Sequence, residues 1–549
     1  MAAKHKFVND SVHWFMNELT SRVVAKSGIP SDRFHLGKII MQSFKDAPDF
    51  IMQIDGAKDE SMTFKTALEK SIKCATCFRN LGLKIGDVVI IMAPNLVNLH
   101  VPFYAALYLG MIVSPIDRTF GIKELRDTFK TNEPKIVFCM SDKATDVQLA
   151  LNNLDVSCRI VTYDKGDYLC SLEEFLVRYG DNTSVDEFES DNFDPAETIG
   201  FLLPTSGTTG LPKSAAVTHK NFAISGGYMW SRCNQFPSPT KIQLITAPLQ
   251  WLTALVPSII SPIFRYTRLV SSETVTPELT YFLIDKYKPT YTIMSPTMLT
   301  SLLRNKEKCD FTSFEEILLG GSAVPEDLLQ ELKAMSPHTD IANAFGMTES
   351  TAISFYPDYP PPGSVGRPTG FLDYRLVDAE TNQDILDPNV PGELWIKGPT
   401  IFKEYYNNPK ATEEAFADGR WFMTGDIFYR DENWYFYFVD RLKLLLKYKS
   451  YQISPVEIEA TIRQHPGVLD AAVVGIPDPE CGDLVVACVV RKIRSTVTAQ
   501  DVKNFVKDNL SDAKQLRGGV IFMNELPMTA STKVHRRKLK EIVLTMEKE

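Results

Sequence analysis

The sequence predicts an α/β protein: stacked parallel-sheet α/β subdomains with a small β-barrel over residues 1–440, then a small α+β domain over 441–549. Three observations carry that expectation. The chain has 549 residues, 44% of them hydrophobic, which is more than a single core holds, so it divides into domains. Runs rich in Val, Ile and Phe alternate with segments of helical apolar spacing through most of its length, the βαβ pattern. Two long stretches, Val88 to Ile116 and Ile242 to Phe264, contain no Asp, Glu, Lys or Arg, as elements buried in a parallel sheet covered by helices require.

Taken in order, Phe64 to Leu81 has apolar residues at helical spacing. Val88 to Ile116 is interrupted by Pro94, Asn95, Asn98, His100, Pro102 and Pro115, and reads as strand, turn, buried helix, strand. Strands follow near 135–140 (KIVFCM), 159–164 (RIVTYD) and 198–203 (TIGFLL). Ile242 to Phe264 opens with the strand-like IQLITA and contains Pro248, Gln250, Pro257 and Pro262. Each uncharged stretch is long enough to span a bilayer, but helix-breaking residues recur in both, so no membrane segment is expected. Further strands are YTIMS near 291–295 and EEILLG near 315–320, with a helix from Pro325 to Met335. After the turn-rich PPPGSVGRPTG, the short runs DYRLVD, GELWIKG and NWYFYFVDR are separated by Gly, Pro and Asn, the texture of the small barrel. Beyond Asp440 the pattern resets to helix (Pro455 to Gln464), strands (Asp470 to Ile476, Asp483 to Val490), helix (Ala499 to Leu510), strand (Gly519 to Met523) and helix (Val534 to Met546).

Lysine and arginine total 59 against 68 acidic residues, a net charge of −9, the wrong sign for a nucleic acid as main partner. Nine cysteines over so long a chain fit reduced thiols inside a cell, and Cys74-x-x-Cys77 lacks the second pair that a metal site needs. The first twenty residues hold no apolar block of signal-peptide length, and Met546-Glu547-Lys548-Glu549 is not a Ser-Lys-Leu address. A cytoplasmic location is expected rather than a peroxisomal one.

The most informative stretch is Phe201 to His219, FLLPTSGTTGLPKSAAVTH. A buried strand runs into a loop of Thr205, Ser206, Gly207, Thr208, Thr209 and Gly210, then Lys213. Glycines let backbone amides approach an anion closely, hydroxyls add donors and the lysine adds positive charge, which is what a polyphosphate needs. Ser/Thr/Gly/Pro loops also serve as ordinary connections, but this run is nine positions long and follows a strand. It is not the G-x-x-x-x-G-K-[ST] loop, because Pro212 stands where the second glycine belongs and removes an amide donor. In AFGMTES, at 344–350, Phe345 can offer an aromatic face to adenine, while Thr348 and Glu349 put a hydroxyl and a carboxylate beside a phosphate. A carboxylate there implies a cation, and oxygen ligands suit Mg²⁺. Asp426 in WFMTGD can accept both ribose hydroxyls in a forked pair. Lys533 sits in a Thr/Ser turn before the basic run of Arg536, Arg537, Lys538 and Lys540, and on composition alone it is one more solvated base.

TSGTTGLPK resembles the phosphate loop of the adenylate-forming enzymes, the superfamily of acyl-CoA synthetases, peptide-synthetase adenylation domains and beetle luciferases. AFGMTES, GRWFMTGD at 419–426, VDRLKLLLKYKSYQISPVEIE at 439–459 and LPMTASTKVHRRKLKEI at 526–542 resemble further motifs of that family, in the right order. The wording is most similar to the branch of 4-coumarate-CoA ligases, insect acyl-CoA synthetases and firefly-type luciferases. The resemblance implies ATP-dependent activation of a small carboxylic acid to acyl-AMP, with Mg²⁺, followed by transfer to coenzyme A. The alternative it implies is oxidation of the adenylate by O₂ with emission of light. ATP is implied to lie on Thr205 to Gly210, Lys213, Gly321, Phe345, Gly346 and Thr348, its ribose on Asp426 and Arg441, and the cation on Glu349. The acid pocket is implied to involve Trp251, Gly321 and Met347, and the catalytic residues to be Lys533, Thr348 and Lys447. The C-terminal domain is implied to be a mobile lid that turns about Asp440 and Lys443 and presents the Lys447 to Tyr451 face to the adenylate. Ser214 and Ser450 stand where the family has glycine, Ser450 putting a side chain in the pantetheine path, and Phe345 stands where it more often has tyrosine. Gln250-Trp251-Leu252-Thr253 replaces the His-His-Gly-Phe of firefly-type luciferases, which argues against firefly luciferin as substrate.

Overall fold

The structure is a computed structural model and describes residues 10–152, 154–205, 213–228, 238, 240–303, 309–321, 324, 326–356, 360–449, 451–528 and 533–546. Strands β1 (Ile51–Asp55), β2 (Glu60–Thr63), β3 (Val88–Met92), β4 (Ile112–Pro115), β5 (Pro134–Cys139), β6 (Arg159–Thr162), β7 (Cys170–Ser171), β8 (Ile199–Thr205), β9 (Lys213–Thr218), β10 (Ile242–Leu244), β11 (Thr267–Val270), β12 (Tyr291–Met294), β13 (Glu316–Gly320) and β14 (Asp340–Ala344) build two sheets. The first runs β14-β13-β12-β10-β11-β1-β2 and is parallel apart from β2. The second runs β9-β8-β4-β3-β5-β6-β7, these seven strands being parallel except for the β8/β9 hairpin.

Helix α1 (Phe64–Asn80) starts where Thr63 Oγ1 accepts the Thr66 amide, and it buries Phe64, Leu68, Ile72 and Ala75 at helical spacing. The first uncharged stretch folds as its sequence predicts. β3 is buried throughout, a 3-10 turn covers Val97–His100, and α2 (Val101–Tyr108) buries every residue, with Pro102 in the first turn where its missing N–H costs little. The second stretch corrects an expectation. Pro257 and Pro262 do not break it but lie inside α3 (Leu252–Phe264), which is buried from Ala254 to Phe264. Each interior proline costs about 3 kcal/mol in an isolated helix; burial on all sides outweighs that here, and the Pro262 carbonyl accepts a hydrogen bond from Ser43 Oγ at 2.7 Å. No described helix is long and apolar enough to cross a membrane.

The expected barrel is a curled antiparallel sheet of β15 (Asp373–Val377), β16 (Gly392–Lys397), β18 (Phe416–Ala417), β19 (Trp421–Arg430) and β20 (Phe436–Arg441), while the intervening β17 (Glu404–Tyr405) joins the second large sheet beside β9. One hydrophobic core runs from Phe44 and Phe138 to Phe428 and Phe436, joining these three sheets. The C-terminal domain has its own sheet, β21 (Leu446–Tyr448), β22 (Tyr451–Ile453), β23 (Val468–Asp478), β24 (Gly482–Arg491) and β25 (Gly519–Met523). Helices α4 (Pro455–Arg463) and α5 (Ala499–Asn509) bury Ile458 and Val502 with Val473 in one cluster, and α6 (Arg536–Thr545) buries Leu539 with Val486 in another. The C-terminal ends of β13 and β14 open toward this second domain, where parallel sheets commonly bind ligands.

Candidate active site

The phosphate-loop motif is flanked by two paired antiparallel strands. β8 ends at Thr205 and β9 begins at Lys213, directly opposite in register. Ser206, Gly207, Thr208, Thr209 and Gly210 lie outside the described residues. The base of the hairpin is tied down: Ser214 Oγ donates to Asn132 Oδ1 (2.9 Å), and Asn132 Nδ2 donates to Ser114 Oγ of β4 (3.0 Å). Ser214, at a glycine position of the family, thus ties the start of β9 through Asn132 to β4. Pairing of Tyr405 with Ala215 sets the Tyr405 ring 4.8 Å from Lys213 Nζ.

Beyond β14, Phe345 packs on Phe428 and Phe438, with ring centroids 4.9 and 6.2 Å away. Gly346 and Met347 bridge to Ile353 and Ala352, and a single 3-10 turn covers Thr348–Ser350. That turn buries the carboxylate of Glu349, whose Oε1 accepts the Tyr405 hydroxyl at 2.9 Å.

Asp426 is aimed by a bulge. The register of β19 against β16 shifts between Glu393 and Trp395; Gly425 takes φ +70°, which favours glycine, and its amide donates to Glu393 Oε1 at 2.9 Å. Glu393 Oε2 accepts Trp395 Nε1 at 2.9 Å, so the bulge is clamped from below. Asp426 is 2% exposed, and its Oδ1 lies 3.2 Å from Nε of Arg441, its register partner on β20.

The C-terminal domain contributes Lys533. A Met528–Val534 bridge closes its loop, and Gly321, at φ +90° just after β13, lies so near that a Cβ there would be 3.9 Å from Lys533 Cε. Three residues on, Arg536 donates through Nη1 and Nη2 to the two oxygens of Glu459 (2.7 and 3.1 Å) and through Nη1 to the Val473 carbonyl (2.8 Å), fixing the start of α6. Asp440 joins the two regions: it accepts the Arg441 amide at 2.7 Å, Ser454 Oγ at 2.6 Å and the Val456 amide at 3.3 Å, at the head of α4.

Glu349, Asp426, Arg441 and Lys533 therefore interact as one cluster. Burial pushes the Asp426 carboxyl up to about 6, against Arg441 and Lys533 and with help from Glu349. Burial likewise raises Glu349, opposed by the Tyr405 hydroxyl, Arg441 and Lys213. Lys533 is held below the usual lysine value by burial and then by Arg441, while Asp426 and Glu349 pull it back. Such displaced titrations gather where a charged ligand is to be met.

Of the residues picked out from sequence, the structure brings Glu349, Asp426, Arg441, Lys533, Gly321 and Lys213 together, and Thr348 precedes Glu349 on its turn. Trp251 stands at the N-terminus of α3, half-buried. Lys447 lies in β21, an element separate from the Lys533 loop; its side chain and Ser450 fall outside the described residues. Tyr405, Glu393 and Asn132 escaped sequence reasoning. Their partners are not local in sequence, Tyr405 and Glu349 being 56 positions apart, except for the Glu393-x-Trp395 pair.

The chain matches the family described as AMP-binding enzyme over residues 41–406 and the AMP-binding enzyme C-terminal domain over 457–533. It is 31% identical over 519 residues to a luciferin 4-monooxygenase of Photuris pensylvanica, covering 91% of this chain and 93% of that one. It is 30% identical over 507 residues to the 4-coumarate–CoA ligase-like 9 of Arabidopsis thaliana, covering 89% and 86%. Among solved structures, ATP-bound MatB from Rhodopseudomonas palustris superposes with a TM-score of 0.83 at 24% identity, over 93% of this chain and 98% of that one. A benzoate CoA ligase from Burkholderia xenovorans LB400 does so at 0.80 and 22%, over 92% and 99%. With one match covering Gly321 and Glu349 and the other Lys533, the chain belongs to the AMP-binding enzymes of the adenylate-forming superfamily.

Proposed function

We propose that the protein is an AMP-forming acid–thiol ligase, in which a carboxylate oxygen attacks the α-phosphorus of ATP, pyrophosphate leaves, and the acyl group of acyl-AMP passes to coenzyme A. The observation that carries this reading is the meeting of Lys533 with Gly321, Glu349 and Asp426 across the two domains. A lysine there offsets charge building on the acid and α-phosphate oxygens, an effect worth on the order of 10²–10³ in rate. Asp426, ionised above its raised pKa, accepts the ribose hydroxyls, and the β8/β9 hairpin with Lys213 holds the outer phosphates. Glu349 fits a Mg²⁺ ligand: it is a buried hard-oxygen donor, raised by its burial and oriented by Tyr405. Mg²⁺ bound there neutralises phosphate charge.

The coenzyme A step is supported by the names of the ligase relatives and by the C-terminal domain, a separate body whose link to the rest runs through Asp440. We place the division at 440/441 and the pivot at Asp440 and Lys443. The luciferin 4-monooxygenase relatives favour a second reading, in which O₂ replaces coenzyme A. One assay separates them: ATP, Mg²⁺, coenzyme A and a panel of fatty and aromatic acids, with pyrophosphate, acyl-CoA and photons measured. Pyrophosphate with acyl-CoA is expected. Pyrophosphate with light and no thioester supports the second reading, and no pyrophosphate from any acid overturns both.

A further inference from the structure

Arg268, in β11, is fully buried, 0% exposed, and no carboxylate of the described residues lies within ion-pair distance of it. Its Nη1 lies 3.2 Å from His100 Nε2, which is itself 2.8 Å from Ser258 Oγ. Beside it, Tyr104 donates its hydroxyl to the Ser258 carbonyl. Burial and the neighbouring guanidinium hold His100 well below the usual histidine range, so the ring is neutral and offers no countercharge. The other two nitrogens, Nε and Nη2, are buried without a partner. Those two point their N–H bonds in parallel from one edge of the guanidinium, the edge that meets both oxygens of a carboxylate. Gln53 and Gln243 flank Arg268 in register on the adjacent strands, and neither amide oxygen reaches it.

Through His100 and Ser258 the guanidinium is linked to the helix that begins at the expected acid pocket. Trp251 immediately precedes α3, and Ser258 follows seven positions later, so the two share a face about 10 Å apart along the axis. An acid with an apolar tail would leave a desolvated cation unpaired at its far end, a cost that an aliphatic residue at 268 would avoid.

Resting on the ligase reading, we propose that the acid is a dicarboxylic acid, its near carboxylate activated by ATP and its far carboxylate received by Nε and Nη2 of Arg268. The test measures pyrophosphate release from matched pairs, adipate against hexanoate and sebacate against decanoate. For the pair of fitting length, wild-type kcat/KM should favour the diacid by on the order of 10²-fold or more. Arg268→Met should remove that preference by lowering diacid use, without lowering the monoacid rate or changing the KM for ATP. Arg268→Lys, which keeps the charge and loses the fork, should fall between. If the variants fail to fold, the wild-type pair comparison decides alone. Equal use of diacid and monoacid by the wild type, or an equal loss for both in Arg268→Met, overturns the proposal and makes Arg268 a structural cation satisfied by buried water. If no acid yields pyrophosphate, the ligase reading fails separately. The fork is then judged by thermal shift: sebacate must raise the Tm of the wild type and not of Arg268→Met, and no shift rejects it.

Discussion

Asp426 shows at the scale of one side chain how function opposes stability. Its carboxyl is raised from 3.8 to about 6, so between those values the folded chain holds a proton that the unfolded chain releases. Below about pH 4 both states are protonated and burial carries no charge penalty; as the pH rises through about 6 the penalty grows to about 3 kcal/mol and then stays constant. Asp426→Asn should therefore raise the Tm of the free enzyme at pH 8, with the gain shrinking toward pH 5, while weakening ATP binding about tenfold or more through loss of the charged ribose acceptor. Calorimetry across that range, paired with ATP titration, checks both; a variant less stable than wild type at pH 8 contradicts the assignment. Wild-type affinity for ATP should likewise fall as the pH drops below about 6. Asp426 and Glu349 were legible in the sequence because each sits in a motif with a chemical reason for its residue type, whereas Arg441 and Lys533 were legible only through the family resemblance, each reading alone as a surface base. Glu393, which clamps the bulge that aims Asp426, was not, because its amide partner Gly425 lies 32 positions away.

Among the elements, the β8/β9 hairpin makes the clearest separation between what pattern reveals and what packing decides. Strand, small-residue loop and lysine are written in the sequence, but the Ser214–Asn132–Ser114 chain under the loop joins three separate elements and has no local signature. Ser214→Gly, which restores the family's usual residue, should loosen the hairpin by about 1 kcal/mol, raising the KM for ATP about fivefold with little change in kcat. A fall in kcat without a change in KM would assign Ser214 a different role. Helix α3 is the converse case. Its prolines were legible as breakers, yet burial of the whole helix outweighs a rule that holds for exposed ones. At the head of α6, Arg536 and Glu459 form a buried ion pair whose partners cannot be lost singly. Arg536→Met should cost about 3–5 kcal/mol in the C-terminal domain and slow adenylation, and adding Glu459→Met should recover stability but not rate, as denaturant curves and pyrophosphate release would show.

For the whole molecule, alternating strands and helices announced the sheet layers and the change of texture near Asp440 announced the second domain. Their mutual placement was not announced, because Lys533 reaches Gly321 from more than two hundred positions away and only the folded chain brings them together. That placement suits one half-reaction. Lys533 occupies the site, while Lys447, the second lysine to which the proposed ligase reaction gives a role, sits on β21 in the sheet of the same domain, so that reaction requires the domain to present the two in turn. The two lysines should then divide the chemistry. Lys533→Ala should slow acyl-AMP formation by on the order of 10²–10³ while leaving thioester formation from supplied acyl-AMP within about twofold of wild type. Lys447→Ala should do the reverse, releasing pyrophosphate at the normal single-turnover rate and accumulating acyl-AMP. Rapid-quench measurement of each half-reaction in both variants decides the matter. If either variant loses both steps by the same factor, the domain does not exchange one lysine for the other, and a single fixed arrangement must serve the whole reaction.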